Sequence, residues 1–223
     1  MRAALDRGAP VVPVYVWSPD DEGPWIPGAA SRWWLHHSLQ QLDAALRKAG
    51  SRLIVRRGPA ATVLPELAAE CGATAVTWAR RYEPDARTAT TAVRDALAAR
   101  GVEAVETRGN LLFEPGEVLT KSGDPYQVFT PFWTALQAVP GGVAPSLRAP
   151  KSVPAPSRWP SSERIAALGL EPRVDWAGGL RDLWRPGEAG GRAALRRFAS
   201  VRLARYPKAR DVPAHTGPSP LAP

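Results

Sequence analysis

With 223 residues, 44% of them hydrophobic, the chain has the length of one ordinary domain plus an extension, or of two small domains, and enough apolar side chains for a core. Its 29 Lys and Arg against 21 Asp and Glu give a net charge of +8, which suits an anionic partner such as nucleic acid; a composition rich in Arg, Ala, Gly and Pro gives part of that excess without one. The single cysteine, Cys71, excludes an internal disulfide, no apolar run approaches the roughly 20 residues of a membrane span, and the lack of a signal peptide makes the cytoplasm the expected compartment.

In chain order, Arg2 to Gly8 reads as the last turns of a helix with no strand before it. Val11 to Trp17 is a short β-branched and aromatic run, expected as a strand covered on both faces, and Pro19 and Pro24 stop it. The charged, proline-bounded loop that follows lies between a strand and a helix, which is where open α/β sheets hold ligands. Ser31 is the expected N-cap, and the first-turn amides of the helix Ser31 to Lys48 would face the loop as a weak anion site. Trp34, Leu35, Leu39, Leu42 and Leu46 have helical spacing, and Gly50 is the stop. Strands at Arg52 to Val55, Ala75 to Trp78 and Val102 to Glu106 alternate with helices at Ala60 to Cys71 and Asp85 to Arg100, which end at Gly72 and Gly101. This repetition predicts a doubly wound α/β fold with a parallel sheet, completed by Leu111 to Val118 and Tyr126 to Gln137. Pro140 to Pro160 reads as an extended linker. Ile165 to Leu168, Leu180 to Trp184 and Ala193 to Leu203 read as short helical pieces, too small together for a core of their own.

Several residue groups have both a chemical and a plain reading. Asp20, Asp21 and Glu22 could hold a hard cation, but a solvated turn is favoured. His36 and His37 project about 100° apart on a helix, so the expectation is that they cannot share one metal ion, and no metal site is assigned. Cys71 is expected to be a small buried hydrophobe. No Walker A or G-x-G-x-x-G pattern occurs, and Thr120-Lys-Ser-Gly123 lacks the preceding glycine of a P-loop. Arg56-Arg57, Arg80-Arg81 and the denser group Arg196, Arg197, Arg202, Arg205, Lys208 and Arg210 could follow a DNA backbone or form solvated faces.

Trp17-Ser-Pro-Asp-Asp-Glu-Gly23 followed by Gly28-Ala-Ala-Ser-Arg-Trp-Trp-Leu-His-His-Ser-Leu39 resembles the N-terminal domain of the DNA photolyase and cryptochrome family. Arg81-Tyr-Glu-Pro-Asp-Ala-Arg87, Leu112 to Gly123 and Pro125 to Trp133 resemble further family segments in the right order, and weaker matches continue through Pro186 to Gly190, Arg197-Phe198, Tyr206-Pro207 and Arg210-Asp211. The resemblance implies a Rossmann-like α/β antenna domain over residues 1–138 without its opening strand, a Pro-rich linker over 139–175, and the truncated start of an all-helical FAD-binding domain over 176–223. Relatives begin with a central strand that precedes Arg2, so a misplaced start or a fragment is expected, and with it an exposed edge on Val11 to Trp17.

The same resemblance implies an antenna-chromophore pocket holding a deazaflavin, flavin or methenyltetrahydrofolate, with Trp17, Ser18, Arg32, Glu83 and Arg87 as its residues. The alternative is that the tryptophans are core and Arg32 pairs with Glu83 or Asp85. Ala86 stands where folate-binding members carry glutamate, which favours a deazaflavin or flavin and leaves an empty pocket open. Tyr206 matches a flavin-contacting tyrosine. Gly217-Pro-Ser-Pro-Leu-Ala-Pro223 matches a flavin-pyrophosphate loop in which Pro218, Pro220 and Ala222 replace polar donors. FAD is therefore expected of the full-length family but not of this chain, no catalytic residue is assigned, and DNA affinity is expected to be weak. The implied function is the antenna portion of a deoxyribodipyrimidine photolyase, inactive in repair on its own. Cryptochrome-type photoreception, a stand-alone chromophore-binding module and a non-functional remnant are the rivals. Nothing in the chain indicates an oligomeric state.

Overall fold

A computed structural model of the chain describes residues 1–24 and 26–209. Its contacts divide it into two compact units, one formed by Val12–Gly58 with Ala155 onward, the other by Met1–Val11 with Pro59–Pro154.

In the first unit, β1 (Val14–Trp17) pairs in parallel with β2 (Ile54–Arg57), Val14 opposite Ile54 and Trp17 opposite Arg57. Parallel partners need a crossover, which here is helix α2 (Ala29–Lys48). β1 is shorter than the expected run because Pro13 has no amide proton to give; its carbonyl instead accepts the Ile54 N–H at 2.9 Å and starts the ladder. Val14, Tyr15 and Val16 are half-buried, so the strand is not covered on both faces as expected. The linker closes the far side of β2, where Val55 N–H donates to Ser162 Oγ and the Glu163 N–H donates to the Val55 carbonyl, each at 2.9 Å. Arg52 lies over the Trp159 ring at 4.7 Å. Trp17, Leu39, Leu46, Leu53, Val55, Leu168 and Leu170 form the core.

α2 begins at Ala29, capped by extended Gly28, so the expected cap Ser31 lies inside the first turn. Two alanines ahead of Ser31 favour helix, and glycine takes the cap at little cost. Its buried stripe is Trp33, His36, Leu39 and Leu46, rotated from the expected apolar set. Trp34 stays partly exposed because it packs edge-on against Trp184, at 5.9 Å, rather than into the core. A 3-10 turn at Ile165–Leu168 is followed by α6 (Gly178–Leu183) and α7 (Glu188–Arg197), a π-helical stretch Phe198–Arg202 and α8 (Tyr206–Ala209).

The second unit holds α1 (Arg2–Leu5), α3 (Ala60–Cys71), β3 (Ala75–Ala79), α4 (Pro84–Ala98), β4 (Glu103–Thr107) and α5 (Phe129–Gln137). β3 and β4 are parallel, Ala75 opposite Glu103 and Ala79 opposite Thr107, with α4 as crossover. Gly72, in the left-handed region at φ 62°, turns the chain from α3 into β3, as expected of a glycine stop. α3 packs along α4, burying Leu67, Ala68, Ala86, Val93 and Leu97. Cys71, the last residue of α3, is half-buried rather than buried. Leu111 to Val118 forms no regular element.

The fold class is thus α/β with parallel strands and helical crossovers. Within the units, parallel ladders join β1 to β2 and β3 to β4.

Candidate functional site

In the first unit, Trp17 ends β1 with 8% of its surface exposed and belongs to the core, so its indole is a fixed wall. Ser18 opens the 3-10 turn Pro19–Glu22, and its hydroxyl donates to the Asp21 carboxylate. Arg32 stands half-buried in the first turn of α2, its N–H donating to the Gly28 carbonyl at 2.9 Å, and it makes no ion pair among the described residues. A half-desolvated guanidinium in that condition fits an anionic ring or tail, with an aromatic wall fixed at the end of the neighbouring strand.

The next turn of α2 is unusual. Trp33 is 1% exposed and its Nε1–H has no partner; His37 packs edge-on against it at 4.7 Å. His36 is 3% exposed, and burial holds its imidazole below the ordinary value against the opposing pull of Glu171. Both histidines present Nε2 to one carboxylate: His36 at 3.5 Å from Glu171 Oε2, His37 at 3.7 Å from Oε1. The two rings therefore converge on one side chain although they are adjacent on the helix. Their Cβ directions diverge, but Nε2 lies far enough from the backbone for the rings to swing back to a 5.2 Å separation.

In the second unit, the carboxyl ends of β3 and β4 are tied by charge. Arg80 donates to Glu106 and Glu114, each at 2.9 Å, the Tyr82 hydroxyl donates to Glu114 at 2.7 Å, and the Gly109 N–H donates to that hydroxyl at 3.3 Å. The Tyr82 bond, with Gly109 and Arg80 behind it, holds the Glu114 carboxyl below the usual carboxylate range, while desolvation and Glu114 push the Tyr82 phenol up. Gly109 is required here, because a Cβ at that position would lie 2.3 Å from the Arg80 carbonyl and 2.7 Å from the Tyr82 ring. None of these roles is marked by local spacing in the sequence.

Glu83 is the N-cap residue of α4, and its carboxylate turns back to accept the Tyr82 N–H at 3.1 Å and to meet Arg81 at 3.6 Å. Its carboxyl is held low chiefly by backbone hydrogen bonding. Arg87 is exposed one turn on, its N–H donating to the Glu83 carbonyl at 2.9 Å. Ala86 between them is 3% exposed, so no carboxylate projects from that position.

Tyr206 is half-buried and packs edge-on against Phe198 at 5.5 Å. Alone among described residues it is no flavin site, and Arg210, Asp211 and the expected pyrophosphate loop Gly217 to Pro223 lie outside the described residues. Of the basic pairs proposed for DNA, Arg57 donates to the Ala167 carbonyl, and Arg80 and Arg81 meet carboxylates, so these arginines are engaged in the structure itself. No helix among the described residues is long and apolar enough to cross a membrane.

The family model for DNA photolyase matches residues 1–156. A deoxyribodipyrimidine photo-lyase from Agrobacterium fabrum is 42% identical over 222 residues, covering 99% of this chain and 46% of its own length. Cryptochrome-1 of Arabidopsis thaliana is 32% identical over 93% of this chain and 31% of its own length. Among solved structures, a bacterial class III photolyase from Agrobacterium tumefaciens superposes with a TM-score of 0.88 at 41% identity, over 99% of this chain and 45% of that one. A photolyase from Sulfolobus tokodaii, described as holding two FAD molecules, shares the fold at TM-score 0.70 and 22% identity. The chain spans less than half the length of these relatives.

Proposed function

Because the chain belongs to the DNA photolyase family, we propose that it is the chromophore-binding α/β portion of a light-driven deoxyribodipyrimidine photolyase. The observation that carries this reading is the 42% identity to a deoxyribodipyrimidine photo-lyase across 99% of the chain. The lower identity to a plant cryptochrome, 32%, makes blue-light signalling the second reading. Repair of pyrimidine dimers by the full-length protein under illumination separates the two.

In that function the bound antenna supplies harvested light energy, and FAD in the full-length enzyme supplies the electron that splits the dimer in DNA. Residues 1–138 are the proposed antenna domain, 139–175 the linker and 176–223 the start of the helical domain. Within this chain, the Trp17 indole excludes water, Ser18 positions the turn that borders it, and Arg32 pairs with an anionic oxygen of the chromophore. Glu83 and Arg87 are separate candidates, each tested by its own substitution. A deazaflavin or flavin is favoured over methenyltetrahydrofolate, since the buried Ala86 offers no acid and Glu83 is engaged with its own loop.

Titrating the purified chain with a deazaflavin, FMN, FAD and methenyltetrahydrofolate, followed by quenching of tryptophan fluorescence, tests this. Flavin-type rings are expected to bind, and Arg32→Ala to weaken them about tenfold or more, the worth of one charge-assisted contact. Binding of the folate alone would overturn the chromophore class, and no binding at all would overturn the antenna role.

A further inference from the structure

We propose that His36, His37 and Glu171 form a binding site for a single divalent transition-metal ion of the zinc class. One donor atom from each of the three lies within 4.8 Å of the others. Two imidazoles and one carboxylate form the donor set that zinc, nickel and copper prefer, whereas magnesium and calcium require oxygen ligands. Around a tetrahedral zinc with bonds of about 2.0–2.1 Å, donor atoms sit about 3.3 Å apart. The two histidine–carboxylate separations, 3.5 and 3.7 Å, are already close to that value. The two contacts reach different oxygens of Glu171, so one ion requires the trio to draw in from within 4.8 Å, and the Glu171 side chain, 53% exposed, has room to supply part of that movement.

The surroundings point to a ligand independently of the spacing. His36 is 3% exposed and its Nδ1 has no hydrogen-bond partner; His37 Nε2 is buried and also lacks one. Buried polar atoms without partners are rare in folded proteins, and an ion at Nε2 of His37 removes one of them. The edge-on contacts of the His37 ring with Trp33, at 4.7 Å, and with His36, at 5.2 Å, limit its rotation, so two of the ligands are pre-positioned. Glu171 follows Leu168 and Leu170, whose burial in the core anchors the segment that carries it. Gln40 Nε2, 3.0 Å from His36 Nε2, is the contact the ion displaces. Three protein donors leave a coordination position open for water. The ion would clamp α2 to the segment that follows the 3-10 turn, a role that stands or falls independently of the chromophore.

The test is equilibrium dialysis of the tag-free, metal-stripped chain against Zn²⁺ alone, with Co²⁺ absorption as a report of coordination geometry. One equivalent is expected to bind. Glu171→Gln and His37→Gln are each expected to weaken binding about tenfold or more, because even an outer hydrogen-bond partner of a ligand is worth that much. His215→Ala, at the chain's third histidine, is expected to leave binding unchanged. His36→Gln removes a buried side chain and can unfold the unit, so circular dichroism accompanies every variant and the two exposed-side substitutions carry the test. Failure of the folded wild-type chain to take up zinc, or binding by Glu171→Gln and His37→Gln as tight as wild type, would overturn the site and leave a histidine–carboxylate ion pair.

Discussion

The two compact units differ in what their polar side chains do. In the β3–β4 unit the strand ends are closed by a network in which Arg80, Tyr82, Glu106, Glu114 and the Gly109 N–H satisfy one another, and Trp78 Nε1 is that unit's buried orphan among the described residues. Along α2 of the β1–β2 unit, by contrast, the Trp33 indole, His36 Nδ1 and His37 Nε2 are buried without a hydrogen bond, His37 Nε2 having only the 3.7 Å contact with Glu171, and Arg32 makes no ion pair among the described residues. A saturated network fixes a loop, whereas unsatisfied polar atoms held in a core mark a place prepared for a ligand. On that ground the Arg80–Tyr82–Glu114 network at the carboxyl ends of β3 and β4 is proposed to fix its loop, and the face of α2 is the proposed place for a ligand.

The most severe way to perturb this contrast is through the cores. Leu97→Ala and Ile54→Ala each remove a side chain with 0% exposure, one from each unit, and are expected to cost about 2–5 kcal/mol in urea unfolding. A loss below about 1 kcal/mol, the ordinary effect of a point substitution, would mean that the unit concerned is not held by the packing described. Gly109→Ala comes next. Its new methyl meets a carbonyl and a ring inside 3.0 Å, and the expected cost is about 1–3 kcal/mol with no effect on ligand binding at α2.

A subtler test uses pH. The folded-state pKa of Glu114 is depressed, so its contribution is fully present above the unfolded-state value and is lost as pH falls through the folded-state value. Acid titration of stability in wild type is expected to show a loss below the usual carboxylate range that Glu114→Gln lacks. Identical acid profiles for the two proteins would remove the carboxylate from the account of the loop. The smallest stability effect is expected for Arg32→Ala, within about 0.5 kcal/mol of wild type, because the residue makes no ion pair among the described residues.

Much of the scaffold was legible from the chain. Gly72 marked the end of α3 and the alternation of helices with β-branched runs placed all four strands within a few residues. Ser31 misled as a cap because Ala29 and Ala30 extend the helix back to Gly28, a choice that helix propensity makes and capping preference opposes. The ligand-like cluster was hidden for a different reason. Glu171 lies far along the chain from His36 and His37, beyond the proline-rich linker, so no local pattern joins them. Gly109 was equally silent, since its need arises from the Arg80 carbonyl and Tyr82 ring of another loop. Trp17, Ser18 and Arg32 are proposed from the family resemblance, and their place after the first strand is where open α/β sheets hold ligands.

The central claim, that the α2 side of the molecule binds a chromophore while the β3–β4 strand ends serve structure, is tested most directly by the near-ultraviolet and visible absorption of the purified protein. Wild type and Glu114→Gln, compared with Arg32→Ala at equal folded concentration, are expected to carry the same co-purified chromophore band, and Arg32→Ala to lose it while keeping its circular dichroism. A colourless wild-type protein that takes up no added chromophore, or an Arg32→Ala protein that keeps the full band, would contradict the account.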